Sequence, residues 1–133
     1  MLRAYSNNIT AVANQPIVFN TDKLDTDSSI VHTSGSANIL VQRSGYFEVN
    51  LTISATTATV VTDPISIQLF ANGVAIPDAI ATATFTQDSY SNLSFDTIIR
   101  ANPGMLGQTV TLTVVPTNDL TISNISIGII RAQ

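Results

Sequence analysis

The sequence predicts an all-β protein, and three observations support this prediction. The 133 residues include 27 isoleucines and valines and 18 threonines, an excess of β-branched side chains that favour strands. Hydrophobic residues make up 44% and charged residues only 11%, which excludes compositional disorder. Apolar and polar residues alternate with a period of two in several segments, whereas no segment has the period of a helix.

The clearest predicted strand begins at Tyr46. Phe47, Val49, Leu51 and Ile53 fall on one face of it, and the residues between them are polar. Because successive side chains of a strand point to opposite sides of a sheet, this pattern predicts one face in the core and one away from it.

Turn residues separate the other predicted strands. An Asn72-Gly73 pair predicts a tight hairpin, and a small, polar Thr33–Ser36 segment predicts another. A change of apolar phase predicts a β-bulge near Ser123-Asn124. The remaining predicted strands cover residues 17–20, 30–32, 38–42, 65–69, 74–76, 79–85, 93–99, 109–114 and 120–131. Residues 21–29 are predicted to form a loop, and residues 1–8 an extended N-terminal arm.

Eight to ten short strands joined by turns, in a chain of this length, predict a single domain over residues 1–133 with a β-sandwich or barrel architecture.

The chain has no cysteine, which excludes disulfides and thiolate chemistry. A net charge of −4 with five fixed cations leaves no basic stripe for nucleic acid. No apolar run is long enough for membrane insertion. Residues 1–8 lack a signal-peptide core, so we expect any export to use another route, such as release with a virus particle or assembly on a spore.

Five large apolar residues lie out of phase with the core positions of their own strands. In a chain this poor in charge, they predict a second buried surface, which for a compact β domain is usually a subunit interface. The alternative is ordinary irregularity of a sandwich, because scattered exposed apolar residues are common. These interface candidates are Leu40, Tyr46, Phe70, Ile98 and Ile130.

The order of the segments resembles the C1q/TNF-like jelly-roll family, and in particular its short bacterial and phage members, similar to C-terminal domains of spore-surface collagen-like proteins. The resemblance covers about residues 9 to 131. The segments that carry it are Pro16–Asn20, Ile30–His32 leading to Ile39–Val41, Ser44–Val49, Ile67–Gly73, Gly107–Leu112 and Ile122–Ile130.

The resemblance implies an antiparallel jelly roll of ten strands that forms a homotrimer and has no catalytic activity. It implies a structural or decoration protein at the surface of a bacteriophage or similar particle, with capsid or fibre proteins as partners. The alternative on the same scaffold is an adhesive module that recognises a host glycan or receptor, at a fibre tip or on a spore or cell surface.

Enzyme chemistry has little support in the residues. His32 is the only histidine and Glu48 the only glutamate, and neither has a catalytic partner nearby in the sequence. We therefore predict no catalytic residue and no cofactor. A β-sandwich enzyme would need a set of residues that this chain lacks, and His32 is predicted to be a half-buried or interface residue of a strand.

Two polar segments are candidates for binding. Asp22, Asp25 and Asp27 could supply oxygen ligands to calcium, but the spacing is not that of an EF-hand, and local turn hydrogen bonds in a solvated loop are the favoured interpretation. Tyr90 lies in a polar loop, where a tyrosine ring can stack on a sugar. The alternatives for Tyr90 are an ordinary loop residue or a trimer contact.

Overall fold

Ten strands form two five-stranded antiparallel sheets that pack face to face. The computed structural model describes residues 1–26, 28–102 and 109–132. The strands are β1 (Leu2–Ala11), β2 (Thr21–Asp25), β3 (Ile30–His32), β4 (Ile39–Val41), β5 (Gly45–Thr56), β6 (Ile65–Ala71), β7 (Val74–Ala83), β8 (Ser91–Ala101), β9 (Val110–Pro116) and β10 (Leu120–Arg131). The first sheet has the order β2-β1-β10-β5-β8 and the second the order β3-β4-β9-β6-β7. The predicted all-β sandwich of eight to ten strands is confirmed.

The core lies between the two sheets and consists mainly of the residues that alternation places inside. In β5 the side chains of Phe47, Val49, Leu51 and Ile53 are all buried, while the residues between them are half-buried or exposed. Burial of large aliphatic and aromatic side chains of this kind is the main source of stability in a chain without disulfides.

Two predicted local features are confirmed. The Asn72-Gly73 pair joins β6 to β7, with φ of 50° and 80° at the two residues, the positive values that a tight hairpin of this type requires. The register of β10 on β5 shifts between Ile122 and Asn124. This bulge inserts one residue, so Ile122 and Ile125 both point into the core.

The predicted N-terminal arm is wrong. Residues 2–11 form β1, which pairs with β10 on one side and with β2 on the other. Leu2 and Ala4 are buried, and Ser6 is buried with them. The alternation is present in the sequence but weak, because alanine and serine occupy three of the four buried positions, namely Ala4, Ser6 and Ala11.

The predicted loop over residues 21–29 is also partly wrong, because Thr21–Asp25 forms the edge strand β2. Its side chains are mostly exposed, so its sequence lacks the apolar alternation of a buried strand. Conversely, residues 17–20 do not form a full strand: Phe19 makes one isolated bridge with Ser36. Ile17 and Phe19 are nevertheless buried core residues, which explains the apolar pattern.

Part of the predicted pattern lies outside the described residues, namely Asp27 and the Gly107-Gln108 start of one resemblance segment. In the part of the chain that the structure describes, no helix is long and apolar enough to cross a membrane.

Candidate functional site

The side of the first sheet that faces away from the second sheet, here called the outer face, is mostly uncharged. It is built from the out-of-phase positions of β1, β10, β5 and β8, because the in-phase positions fill the core. Most of its side chains are asparagine, serine or threonine, including Asn7, Asn124, Ser54 and Asn92, which lie in one row across four strands.

An apolar patch interrupts this polar face where β10 ends. Ile98 is 60% exposed, Tyr46 47% and Ile130 43%. The register places Glu48 of β5 directly between Ile130 of β10 and Ile98 of β8, so the three apolar side chains surround one carboxylate. An exposed patch of this kind on a β domain is typical of a protein interface.

The five predicted interface residues do not share one surface. Leu40 and Phe70 are half-buried in β4 and β6 of the second sheet, on the opposite side of the sandwich from Tyr46, Ile98 and Ile130. The alternation in the sequence indicates which side chains point away from the core, but it does not indicate which of the two sheets each strand joins. The three residues of the first sheet remain the candidate interface.

Tyr90 lies at the other end of the sandwich from the apolar patch. β1 begins and β10 ends at one end, while the loops before β2, after β5, before β8 and after β9 meet at the other, here called the far end. Tyr90 is 57% exposed, and Val60 and Val12 from neighbouring loops are 77% and 59% exposed.

Hydrogen bonds tie two of the far-end loops together. The amide of Asp88 donates to the carbonyl oxygen of Thr57 at 2.9 Å, and the Nε2 of Gln87 donates to that of Ala58 at 2.9 Å. Beside them is an open, threonine-rich depression of about 540 Å³ lined by residues 10–13, 57–59 and 117–121. The sequence indicated Tyr90 but not this depression, because its walls come from three segments far apart in the chain.

The predicted acidic cluster is divided by the fold. The Asp22 carboxylate contacts the Nδ1 of His32, whereas Asp25 is exposed near the end of β2. Among the described residues, no group of three or more His, Asp or Glu side chains is close enough to hold a metal ion. Calcium binding, which the sequence favours less than a solvated loop, stays untested because Asp27 lies outside the described residues, and the Asp22 carboxylate already contacts His32.

His32 is a buried structural residue rather than a half-buried one. Its exposure is 5%, its Nε2 donates to the carbonyl oxygen of Ser36 at 2.8 Å, and its Nδ1 faces Asp22. Both ring nitrogens are therefore occupied, and neither is available to take a proton from a nucleophile.

Two five-stranded antiparallel sheets in these strand orders form a C1q/TNF-like jelly roll. The globular domain of zebrafish complement 1qA is similar, with a TM-score of 0.76 and 9% identity over 99% of this chain and 96% of that chain. Murine APRIL has a TM-score of 0.66 and 9% identity, with 95% and 96% of the two chains covered. The PRD1 vertex protein P5 has a TM-score of 0.56 and 12% identity, with 95% and 93% covered.

Identities this low establish the fold alone, and the fold predicted from the order of the segments is confirmed. No family model matches the sequence, and no curated protein matches it either.

Proposed function

We propose that this protein is a non-enzymatic, homotrimeric structural or decoration module at the surface of a bacteriophage or similar particle. The observation that carries the proposal is the outer face of the first sheet, where Tyr46, Ile98 and Ile130 expose an apolar patch around Glu48 on a mostly uncharged surface. Three copies around a threefold axis are what the resemblance to the C1q/TNF-like family implies.

The chemistry of the outer face suits contact between copies. Asparagine, serine and threonine side chains cost less to remove from water than charged groups do, and they can pair across an interface. Permanent interfaces between subunits commonly bury more than about 2,000 Å² in total. An interface of that area would have to include the asparagine, serine and threonine side chains of the outer face as well as the apolar patch.

A place on a particle is supported by one structural neighbour, the PRD1 vertex protein P5. The proposed partners are therefore capsid or fibre proteins, and the proposed location is a virion surface, with a spore or cell surface as the alternative. Saturable binding of the purified protein to assembled capsids would support this role, and binding only to host cells would contradict it.

The assembly is tested by absolute mass from light scattering at low micromolar concentration, repeated on dilution. A mass of about 42 kDa, three times the chain mass of 14.1 kDa, that persists on dilution supports the trimer. A stable 14 kDa species would contradict it.

The surface is tested by Ile98→Asp, which places a carboxylate in the apolar patch. We expect the concentration at which the trimer dissociates to rise at least about tenfold, because the new charge would be buried beside the like charge of Glu48, which the register places opposite residue 98. The control is Val60→Asp, since Val60 is more exposed than Ile98 but lies in a far-end loop. Equal effects of the two variants would remove the outer face from the interface.

A second candidate function uses the far end. The exposed Tyr90 ring and the threonine-rich depression lie at the same end of the sandwich. Together they favour recognition of a host glycan or receptor, because a ring can stack on a sugar while hydroxyls bond to it. Three copies would add avidity. Tyr90→Ala should abolish binding to cells or to a glycan array while leaving the melting temperature unchanged, and retained binding would exclude this site.

A further inference from the structure

The side of the second sheet that faces away from the core, here called the back face, has no charged side chain among its described residues. It is built from the out-of-phase positions of five strands, all of which are half-buried or exposed. Leu40 and Phe70, two of the predicted interface residues, belong to it. The full set of positions is Val31, Leu40, Ser66, Gln68, Phe70, Ala75, Ile80, Thr82, Thr111, Thr113 and Val115.

The strands of the two sheets differ in charge. Those of the second sheet contain one Asp, Glu, Lys or Arg residue, Asp78, whose carboxylate accepts a hydrogen bond from the Thr97 hydroxyl of β8 at 3.1 Å. A sheet face in water is commonly polar, whereas the centres of interfaces are depleted in charged residues. The back face therefore has the composition of an interface. The strands of the first sheet contain eight charged residues, namely Arg3, Asp22, Lys23, Asp25, Glu48, Asp96, Arg100 and Arg131.

Apolar side chains extend across the back face from one edge strand to the other. Val31 and Leu40 are cross-strand neighbours, and Val115 and Ile80 lie in one row on the two strands that flank β6. Phe70 of β6 lies in the next row. Neighbours of this kind are about 5 Å apart, and no carboxylate interrupts them, in contrast to the apolar patch of the first sheet.

Polar side chains of the back face are hydrogen-bonded within the chain. The Nε2 of Gln68 donates to the carbonyl oxygen of Ile76 at 3.0 Å, and the hydroxyls of Ser66 and Thr82 bond to each other at 2.8 Å. A polar group that already has a partner costs less to remove from water than one that would be left without a partner. Covering the back face therefore costs less than covering a charged surface.

The size of the back face limits the strength of a contact. Five strands about 4.8 Å apart, the two longer regular ones having seven residues of about 3.3 Å each, give a flat area of at most about 550 Å². Two such faces bury about 1,100 Å², slightly less than standard interfaces and typical of weak contacts. Such a contact forms between copies that are already concentrated, as they are on the surface of a particle.

We propose that the occupant of the back face is the back face of a second copy, packed sheet on sheet about a two-fold axis through its centre. A two-fold contact brings the same surface of both copies together, so a chain of net charge −4 avoids like-charge repulsion by using a face without charge. Facing sheets pack about 10 Å apart. The inference goes beyond the proposed trimer, which uses the opposite side of the sandwich, and it predicts that trimers join one another.

The centre of the back face provides the test. β9 is the middle strand of the sheet and Thr113 the middle residue of β9, so a two-fold axis through the centre brings the two copies of Thr113 together. Thr113→Lys and Thr113→Glu should each lower the association constant at least about tenfold, because like charges meet in the contact. An equimolar mixture of the two variants should recover the association, since opposite charges then meet.

The measurement is mass from light scattering on the full chain between about 1 and 200 µM. We expect the wild-type mass to rise with concentration above the 42 kDa of the trimer, which is three times 14.1 kDa. Thr62→Lys makes the same substitution in the exposed loop between β5 and β6 and should have no effect. Circular dichroism establishes that each variant is folded, and Thr82→Lys on the same face replaces Thr113→Lys if that variant does not fold.

The outcomes separate this contact from the trimer. A mass that stays at 42 kDa, an equal loss in Thr62→Lys, or a mixture that associates no better than the single variants overturns the contact and leaves the trimer in place. A dimer of 28 kDa, twice the chain mass, that Thr113→Lys converts to monomer supports the contact and overturns the trimer. A monomer at every concentration overturns both.

Discussion

Asp22 and His32 connect the edges of the two sheets through a buried contact. Asp22 belongs to β2 of the first sheet and His32 to β3 of the second, and the carboxylate oxygen Oδ1 meets the ring nitrogen Nδ1. The Ser36 carbonyl oxygen can only accept a hydrogen bond, so the Nε2 of His32 carries a proton.

Removing the carboxylate should therefore destabilise the protein. We expect Asp22→Ala to lower the free energy of unfolding by about 1–3 kcal/mol, because His32 keeps a buried ring nitrogen without a partner. The control Asp25→Ala changes an exposed side chain of the same strand and should change it by less than about 0.5 kcal/mol. Urea denaturation measures both, and equal values would show that the contact with His32 contributes nothing.

Ser6 should hold the connection between β1 and β2 in place. Its hydroxyl donates to the Val18 carbonyl oxygen at 2.7 Å and accepts from the Asn20 amide at 2.8 Å. We expect Ser6→Ala to cost about 1–3 kcal/mol, since two buried bonds are lost, and to speed proteolysis within residues 12–20. Ser89→Ala, in an exposed turn, is the control, and cleavage at the same rate in both variants would contradict the role.

Gly128 should be required because the Asn50 side chain lies over it. A Cβ added at Gly128 would be 2.8 Å from the Asn50 Oδ1, closer than atoms can pack without movement. We expect Gly128→Ala to cost about 1 kcal/mol, and Asn50→Ala in the same chain to recover most of that loss. A double-mutant cycle by thermal melting measures the coupling, and additive effects would contradict the contact.

Replacement of Thr56 and of Thr57 by valine should change the free energy of unfolding in opposite directions. The buried Thr56 Oγ1 has no hydrogen-bond partner among the described residues, whereas the Thr57 Oγ1 bonds to the Thr59 amide and hydroxyl. Thr56→Val should raise the free energy of unfolding by about 1 kcal/mol, because an unpaired hydroxyl leaves the core. Thr57→Val should lower it by a similar amount, and a loss in both variants would mean that Thr56 is paired.

Local patterns in the amino-acid sequence are sufficient to predict the fold class and most of the core. Alternation is a local property, since it depends on neighbours two residues apart, and so the inward face of β5 and the bulge near Asn124 were predictable. The Asn72-Gly73 hairpin is equally local. The order of such segments was sufficient to indicate the C1q/TNF-like jelly roll.

The pairing of strands, in contrast, depends on contacts between residues far apart in the chain. β1 pairs with β10, more than one hundred residues away, and this pairing places residues 2–8 of the predicted arm in an interior strand that continues to residue 11. The same long-range register places Arg3 and Asp96 in one row and brings Asp22 to His32. It also places Phe70 and Ile98 on opposite sides of the sandwich. Each of these residues points away from the core, but the side it lies on depends on which sheet its strand joins, and a local pattern does not specify that.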